Sequence, residues 1–187
     1  MISVQVDSET GSEIVSLTEL KAFARIETSD DDSIVSNIIK AARLKCEAII
    51  NRDIVAKTRS LFISNIDPSG EYGNLYRRRT KIVLPYAPIN NITSVQEKNK
   101  DGSFTDISFE SNGIKDKFIE ITSSHAKNIK IVYTTTGMDE PNLELAIKQL
   151  GTTYYDNRSD FVVGKNINIP TNVNTILSPY IYYNELW

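Results

Sequence analysis

The sequence predicts an α+β protein: a helical bundle of two N-terminal helices plus one C-terminal helix, an inserted small antiparallel β-sheet or sandwich, and an extended C-terminal arm. Three observations predict it. Apolar residues recur at helical spacing near both ends, over 15–53 and 140–160. Between them, from 58 to 135, the apolar period falls to two. Beyond residue 158 the periodicity fades into an Asn-rich run that ends in aromatics. The expected domains are a helical body (1–55 and 137–158), an inserted β subdomain (56–136) and a C-terminal arm (159–187).

The first helix opens at Ser16, whose hydroxyl can accept from the backbone of Glu19 while Glu19 reaches back, a capping box. Val15 and Leu20 stand at the staple positions that set the chain's entry angle. The helix ends near Ile26, and the polar run 27–32 turns the chain. Thr28, Ser29 or Asp30 can cap the second helix, and Asp31 and Asp32 suit the positive end of its dipole. That helix is expected over 31–51. Val35, Ile38, Ile39, Ala42, Cys46 and Ile49 form one apolar stripe, and Ile34, Ala41 and Ala48 a second beside it. Such a wide apolar surface can contact more than one neighbour: the plainer reading is an internal core, the sharper one a contact with a neighbouring subunit.

Strands are expected at 58–64, 80–84, 92–98, 104–109, 117–122 and 129–135. The turn Asn99-Lys100-Asp101-Gly102 marks a hairpin, because Gly102 supplies the positive φ. Pro85 and Pro88 interrupt any strand around Tyr86. The loop 67–80 holds Gly70, Gly73 and three adjacent arginines, Arg77, Arg78 and Arg79. These can meet DNA phosphates or an acidic neighbour, and the plainer reading is a solvated charge cluster. The last helix starts after Gly137 with Asp139 or Glu140 as cap and Pro141 in its first turn. Leu143, Ala146, Ile147, Leu150 and Tyr154 form its buried stripe, and Gly151 marks close packing or an early end. Four aromatics, Tyr180, Tyr182, Tyr183 and Trp187, fall in the last eight residues. Rings with polar tips suit half-wet contacts, either with the protein's own body or with a partner.

Composition excludes several classes of function. A length of 187 residues with 40 % hydrophobic and 24 % charged residues is ordinary for a globular protein with a real core. No apolar stretch is long enough for a membrane span, so no membrane partner is expected, and the N-terminus lacks a secretory signal's pattern. The single cysteine, Cys46, allows no internal disulfide and reads as a small buried hydrophobe. A net charge of −3 is not the footprint of a protein that grips nucleic acid by itself. It does not exclude a protein that DNA passes without sticking, since each strong Lys or Arg contact adds affinity and drag. The single histidine, His125, stands in the polar loop SSHAK, so neither a His-based triad nor a multi-His metal site is expected; Ser123 and Ser124 beside it read as turn residues. No phosphate-binding glycine loop is present, and the acidic run 30–32 reads as helix capping, without a calcium loop's glycine and closing Glu. No catalytic residue, cofactor or metal is expected, and the chain is not expected to be an enzyme.

The order of several weak motifs resembles the head–tail connector (adaptor) proteins of tailed bacteriophages. Their first helices read like L-x-x-x-K-x-x-x-R-I, matched by Leu17, Lys21, Arg25 and Ile26. An acidic stretch and I-x-x-A-R-x-x-x-E follow, matched by Asp31 and Asp32, then Ile39, Ala42, Arg43 and Glu47, with Arg52 closing the helix. The element I-x-L-P-x-x-P-I is similar to Ile82, Leu84, Pro85, Pro88 and Ile89, continued by Ile92, Ser94 and Val95. The last helix closes on Tyr155, Asn157 and Arg158, and I-L-x-P-Y stands at Ile176, Leu177, Pro179 and Tyr180. The resemblance spans 17–160 with an echo at 176–180; the Arg-rich loop and the residues after Tyr180 depart from it.

The resemblance implies a virion structural protein of the neck at the portal vertex, assembled in the host cytoplasm. It implies a homo-oligomeric ring, typically twelve-fold, that extends the DNA channel and offers an attachment surface to neck or tail proteins. The implied partners are further copies of itself, the portal, the next neck or tail protein, and double-stranded DNA passing without tight binding. Ile34, Ile38, Ala41, Ala48, Tyr155 and Arg158 are the candidates for subunit contacts. Pro179, Tyr180, Tyr182, Tyr183 and Trp187 are the candidates for portal docking, and Arg77, Arg78 and Arg79 for the lumen or a neighbour. Another neck or tail-completion protein is the nearest alternative; a nucleic-acid-binding regulatory module is the more distant one.

Overall fold

A computed structural model describes residues 1–64, 80–121, 128–157 and 171–183. Among them are four α-helices and eight strands in two antiparallel sheets, in two compact units. The expected helical bundle with a small inserted sheet and an extended arm is therefore corrected to a sheet-rich α+β fold.

The sheet unit comprises Met1–Gly11 and Val55–Gly137. Its larger sheet has the order β1-β2-β8-β4-β5: β1 is Ile2–Glu9, β2 Lys57–Ser64, β4 Ile89–Lys98, β5 Phe104–Asp106 and β8 Asn128–Thr135. The smaller one has the order β3-β7-β6, from Thr80–Val83, Phe118–Ile121 and Phe109–Asn112. Strict alternation of buried and half-buried residues along β2 and β8 turns Leu61, Ile63, Ile129, Ile131 and Tyr133 into one core with Ile82, Leu84, Ile119 and Ile121. The Tyr133 hydroxyl donates to the Pro85 carbonyl at 3.0 Å, which satisfies the one polar atom that this ring takes inside.

Two differences account for much of the correction. Ile2, Val4 and Val6 alternate with Ser3, Gln5 and Asp7, and this period-two run pairs with β2 as an edge strand that the sequence reading did not assign. The expected strand at 104–109 splits after Asp106: β5 stays with β4, whereas Phe109–Asn112 pairs with β7 in the other sheet. Alternation alone does not say to which sheet a strand belongs.

The helical unit comprises Ser12–Ile54 and Met138–Tyr183. Helix α1 (Leu17–Ala24) carries the capping box, with Ser16 and Glu19 exchanging side-chain and backbone bonds. Helix α2 (Asp32–Ile50) begins at Asp31, which makes no capping bond; neither do Thr28, Ser29 or Asp30 cap it as expected. Asp31 instead accepts from the Tyr155 hydroxyl at 2.7 Å, a partner distant in sequence. Helix α3 (Pro141–Asp156) runs through Gly151. Close packing is the reason for that glycine, because a Cβ there would stand 3.1 Å from Leu20 Cδ2. In the expected arm, Thr171–Leu177 forms helix α4 and Ser178–Tyr180 a 3-10 turn. Val173 and Leu177 lie one helical turn apart and are fully buried against α2 and α3, so burial stabilises a helix too short to stand alone.

Candidate assembly surfaces

Helix α2 is the longest element, about 28 Å at 1.5 Å per residue. One side buries Val35, Ile39, Ala42, Cys46 and Ile50. The adjoining side leaves Ile34 42 % and Leu44 43 % exposed, with Ala41 and Ala48 exposed between and beyond them. Ile38 is half-buried and packs on the core of this unit. Of the expected contact residues, Ile34, Ala41 and Ala48 therefore share an open stripe, and Ile38 borders it. The sequence reading missed Leu44, although its place three residues after Ala41 is the signal that puts it on that stripe. Phe23 of α1 was missed too, and is 45 % exposed. Tyr155 ties α3 to Asp31, and Arg158 lies outside the described residues.

The reverse side of α2 holds an ion-pair cluster. Arg43 is fully buried; its Nε donates to Glu13 at 2.8 Å and its Nη1 to Glu47 at 3.1 Å. The second oxygen of Glu47 accepts from the Ile54 N–H at 2.9 Å. The cluster thus joins the segment before α1, the middle of α2 and the segment after it. Burial pushes the neighbouring Cys46 thiol up to about 12, with the Glu47 charge adding to the effect. That thiol is a packing group rather than a nucleophile.

The described part of the tail is latched to the helical unit. Arg52 Nε donates to the Tyr180 carbonyl at 3.1 Å, and its guanidinium lies 4.7 Å from the centre of the Tyr182 ring. The Tyr182 N–H donates to Ile50 at 2.7 Å, where α2 ends with Asn51 in the left-handed region at φ 54°. The Tyr180 hydroxyl accepts from Asn142 at 3.2 Å. Pro179 begins no new element but sits within the 3-10 turn. Tyr183 stands 83 % exposed immediately after this latch. Trp187, the Arg77–Arg79 loop and the Ser123–His125 segment lie outside the described residues.

Among the described residues, no group of three or more His, Cys, Asp or Glu could hold a metal ion. A shallow depression of about 180 Å³ on the outer face of the larger sheet is lined by Ser3, Gln5, Asp7, Ser60, Phe62 and Lys130. Asp7 there is already engaged by Ser60 at 2.6 Å and Gln5 at 3.2 Å. No described helix is long and apolar enough to cross a membrane.

The comparisons with known proteins name the class of this chain. The model of the head completion protein family matches residues 13–182, and the chain belongs to that family. It is a head–tail connector, a structural component of the virion neck, as its motifs led one to expect. Three similar solved chains share the fold. One, from the neck of an empty gene transfer agent (GTA) particle computed with C6 symmetry, is 16 % identical at a TM-score of 0.69, covering 100 % of this chain and 97 % of that one. Another, from the virion of the native GTA particle, is 15 % identical at 0.70, covering 98 % and 97 %. A third, from the native neck computed with C12 symmetry, is 15 % identical at 0.64, covering 96 % of each chain. No curated protein matches.

Proposed function

We propose that copies of this chain form a ring beneath the portal, without enzymatic activity, through which double-stranded DNA passes without tight binding. The observation that carries this reading is the open stripe of α2, apolar surface that a single chain leaves in water. A ring needs two different patches that meet head to tail and close by rotation. Ile34, Leu44, Ala41 and Ala48 form one such patch, and covering a half-exposed Ile or Leu contributes about 1 kcal/mol each. The C6 and C12 symmetry used for the similar neck particles supports a ring, and the net charge of −3 supports a passage that does not hold DNA. Tyr183, exposed directly after the Arg52 latch, and Trp187 are the portal-docking residues in this reading.

The test is to remove the gene and view the lysate by negative-stain electron microscopy. Separate heads and tails that never join are expected. Joined particles, or a lysate without heads, would overturn the assignment. Truncation after Tyr182 then tests the tail: it keeps the Arg52 latch, so the chain is expected to fold but not to attach to portals. Unimpaired attachment would remove that role from the tail.

A further inference from the structure

Among the described residues, the larger sheet ends in two edges that no other strand pairs with, and their chemistry matches. Among the described strands, β1 pairs only with β2 and β5 only with β4. Strand β1 is eight residues long, and an edge of that length without Lys or Pro is a template for another strand. Its guards are the charged Asp7 and Glu9 and the irregularity between Val6 and Ser8, all toward its far end, which leaves Ile2 to Val6 regular and uncharged.

The direction of the open groups follows from the ladders. Met1 and Ser64 exchange bonds of 3.2 and 2.9 Å, so alternation gives Ser3 and Gln5 to β2. Ile2, Val4 and Val6 therefore direct their N–H and C=O groups away from the sheet. At the other end, Asn99 donates to Ser103 at 2.8 Å and Ile107 to Val95 at 2.9 Å. Thr105 then bonds to β4, and Phe104 and Asp106 direct their groups outward.

We propose that β5 of one copy pairs with β1 of the next, so that the larger sheets of neighbouring subunits join edge to edge. Three independent features agree. Every pairing in the sheet is antiparallel, so its first and fifth strands run the same way, and two copies in like orientation meet as parallel strands. In a parallel ladder one residue bonds to the two that flank its opposite number. Val4 between Phe104 and Asp106 satisfies that spacing. The pleat agrees as well: Val4 lies in line with Leu61, and Thr105 with Glu97 and Ile129, so both side chains point to the core-facing side. The second copy supplies a matching edge without any other protein. The proposal rests on the ring reading above.

Gln5 and Asp106 are exposed and lie on the outer side, adjacent in this arrangement. Particles carrying the full chain as Gln5→Cys with Asp106→Cys, treated with a short bismaleimide, are expected to give a ladder of covalent multimers. The wild type is the control, since its Cys46 is buried. Dimers from Gln5→Cys alone would show like edges meeting and would overturn the proposal. So would a bond from Gln5→Cys to a different virion protein. Necks that hold many copies but give no ladder would refute the edge pairing and leave the ring standing. Necks that hold a single copy would refute both.

Discussion

Replacing Arg43 by Met tests whether the buried ion-pair cluster organises the helical unit. Its side chain is 1 % exposed, and that of Glu47 is 7 % exposed. Removing the guanidinium leaves a buried carboxylate without its nearest positive charge, which costs about 3–5 kcal/mol when one partner of such a pair is deleted. Two details move the value to the lower end. Glu13 is a third exposed, so losing its pair costs roughly 1 kcal/mol or less. Glu47 also keeps the Ile54 N–H. A loss of about 3 kcal/mol in a chain of this length lowers the melting temperature by about 6–12 °C. Arg43→Lys keeps the charge but gathers its donors on one nitrogen at the end of a shorter side chain, which does not reproduce the bonds of Nε and Nη1, and about half that loss is expected.

Circular dichroism of thermal unfolding reads both variants, followed by the double variant Arg43→Met with Glu47→Met. The double variant removes both charges of the buried pair and leaves the Ile54 N–H and the partly exposed Glu13 carboxylate without those partners. It is expected to be more stable than Arg43→Met alone by about 1–2 kcal/mol, a departure from additivity that a true buried pair requires. A single variant melting within about 2 °C of the wild type, or a double variant that loses the sum of both changes, would refute the reasoning.

Other expectations follow from particular contacts. Gly151→Leu presses on Leu20 and is expected to cost about 1–3 kcal/mol, read by urea denaturation; an unchanged midpoint would mean that the helices there are not tightly packed. Hydrogen bonds from the Ser16 hydroxyl and N–H, with Lys148 nearby, hold the Glu19 carboxyl below its usual range. Its contribution is therefore present above the ordinary glutamate range and lost as pH falls through the lowered value, so the melting difference between wild type and Ser16→Ala is expected to shrink on acidification. Cys46, pushed up to about 12, is expected to resist a thiol reagent at neutral pH until the protein unfolds; its contribution is full below the unfolded thiol's range and is lost as pH rises toward about 12. Arg52→Ala removes the ring contact and the bond to Tyr180, and faster proteolytic cleavage of the tail than in the wild type is expected.

What the sequence determined by itself was local. The capping box at Ser16, the long stripe on α2, Pro141 in the first turn of α3 and the turn before Gly102 each follow from spacing of a few residues, and each stands in the structure. The open Ile34, Ala41 and Ala48 row was legible for the same reason: helical geometry places residues seven apart on one side. The family resemblance was legible in the order of several short motifs, and the family model matches residues 13–182.

Tertiary structure decided everything that depends on partners far apart in the chain. The first strand reads as a polar N-terminus until Leu61 and Ile63 of β2 supply the other side of its apolar row. The split of 104–112 between two sheets is set by which strand lies alongside, β4 or β7, and not by the residues themselves. Thr171–Leu177 is helical because Val173 and Leu177 are buried against other helices. Arg43 looks like one more charge on an amphipathic helix, yet Glu13 and the turn at Ile54 close over it. In each case the deciding energy comes from desolvation and pairing across the fold, which spacing along one segment does not encode.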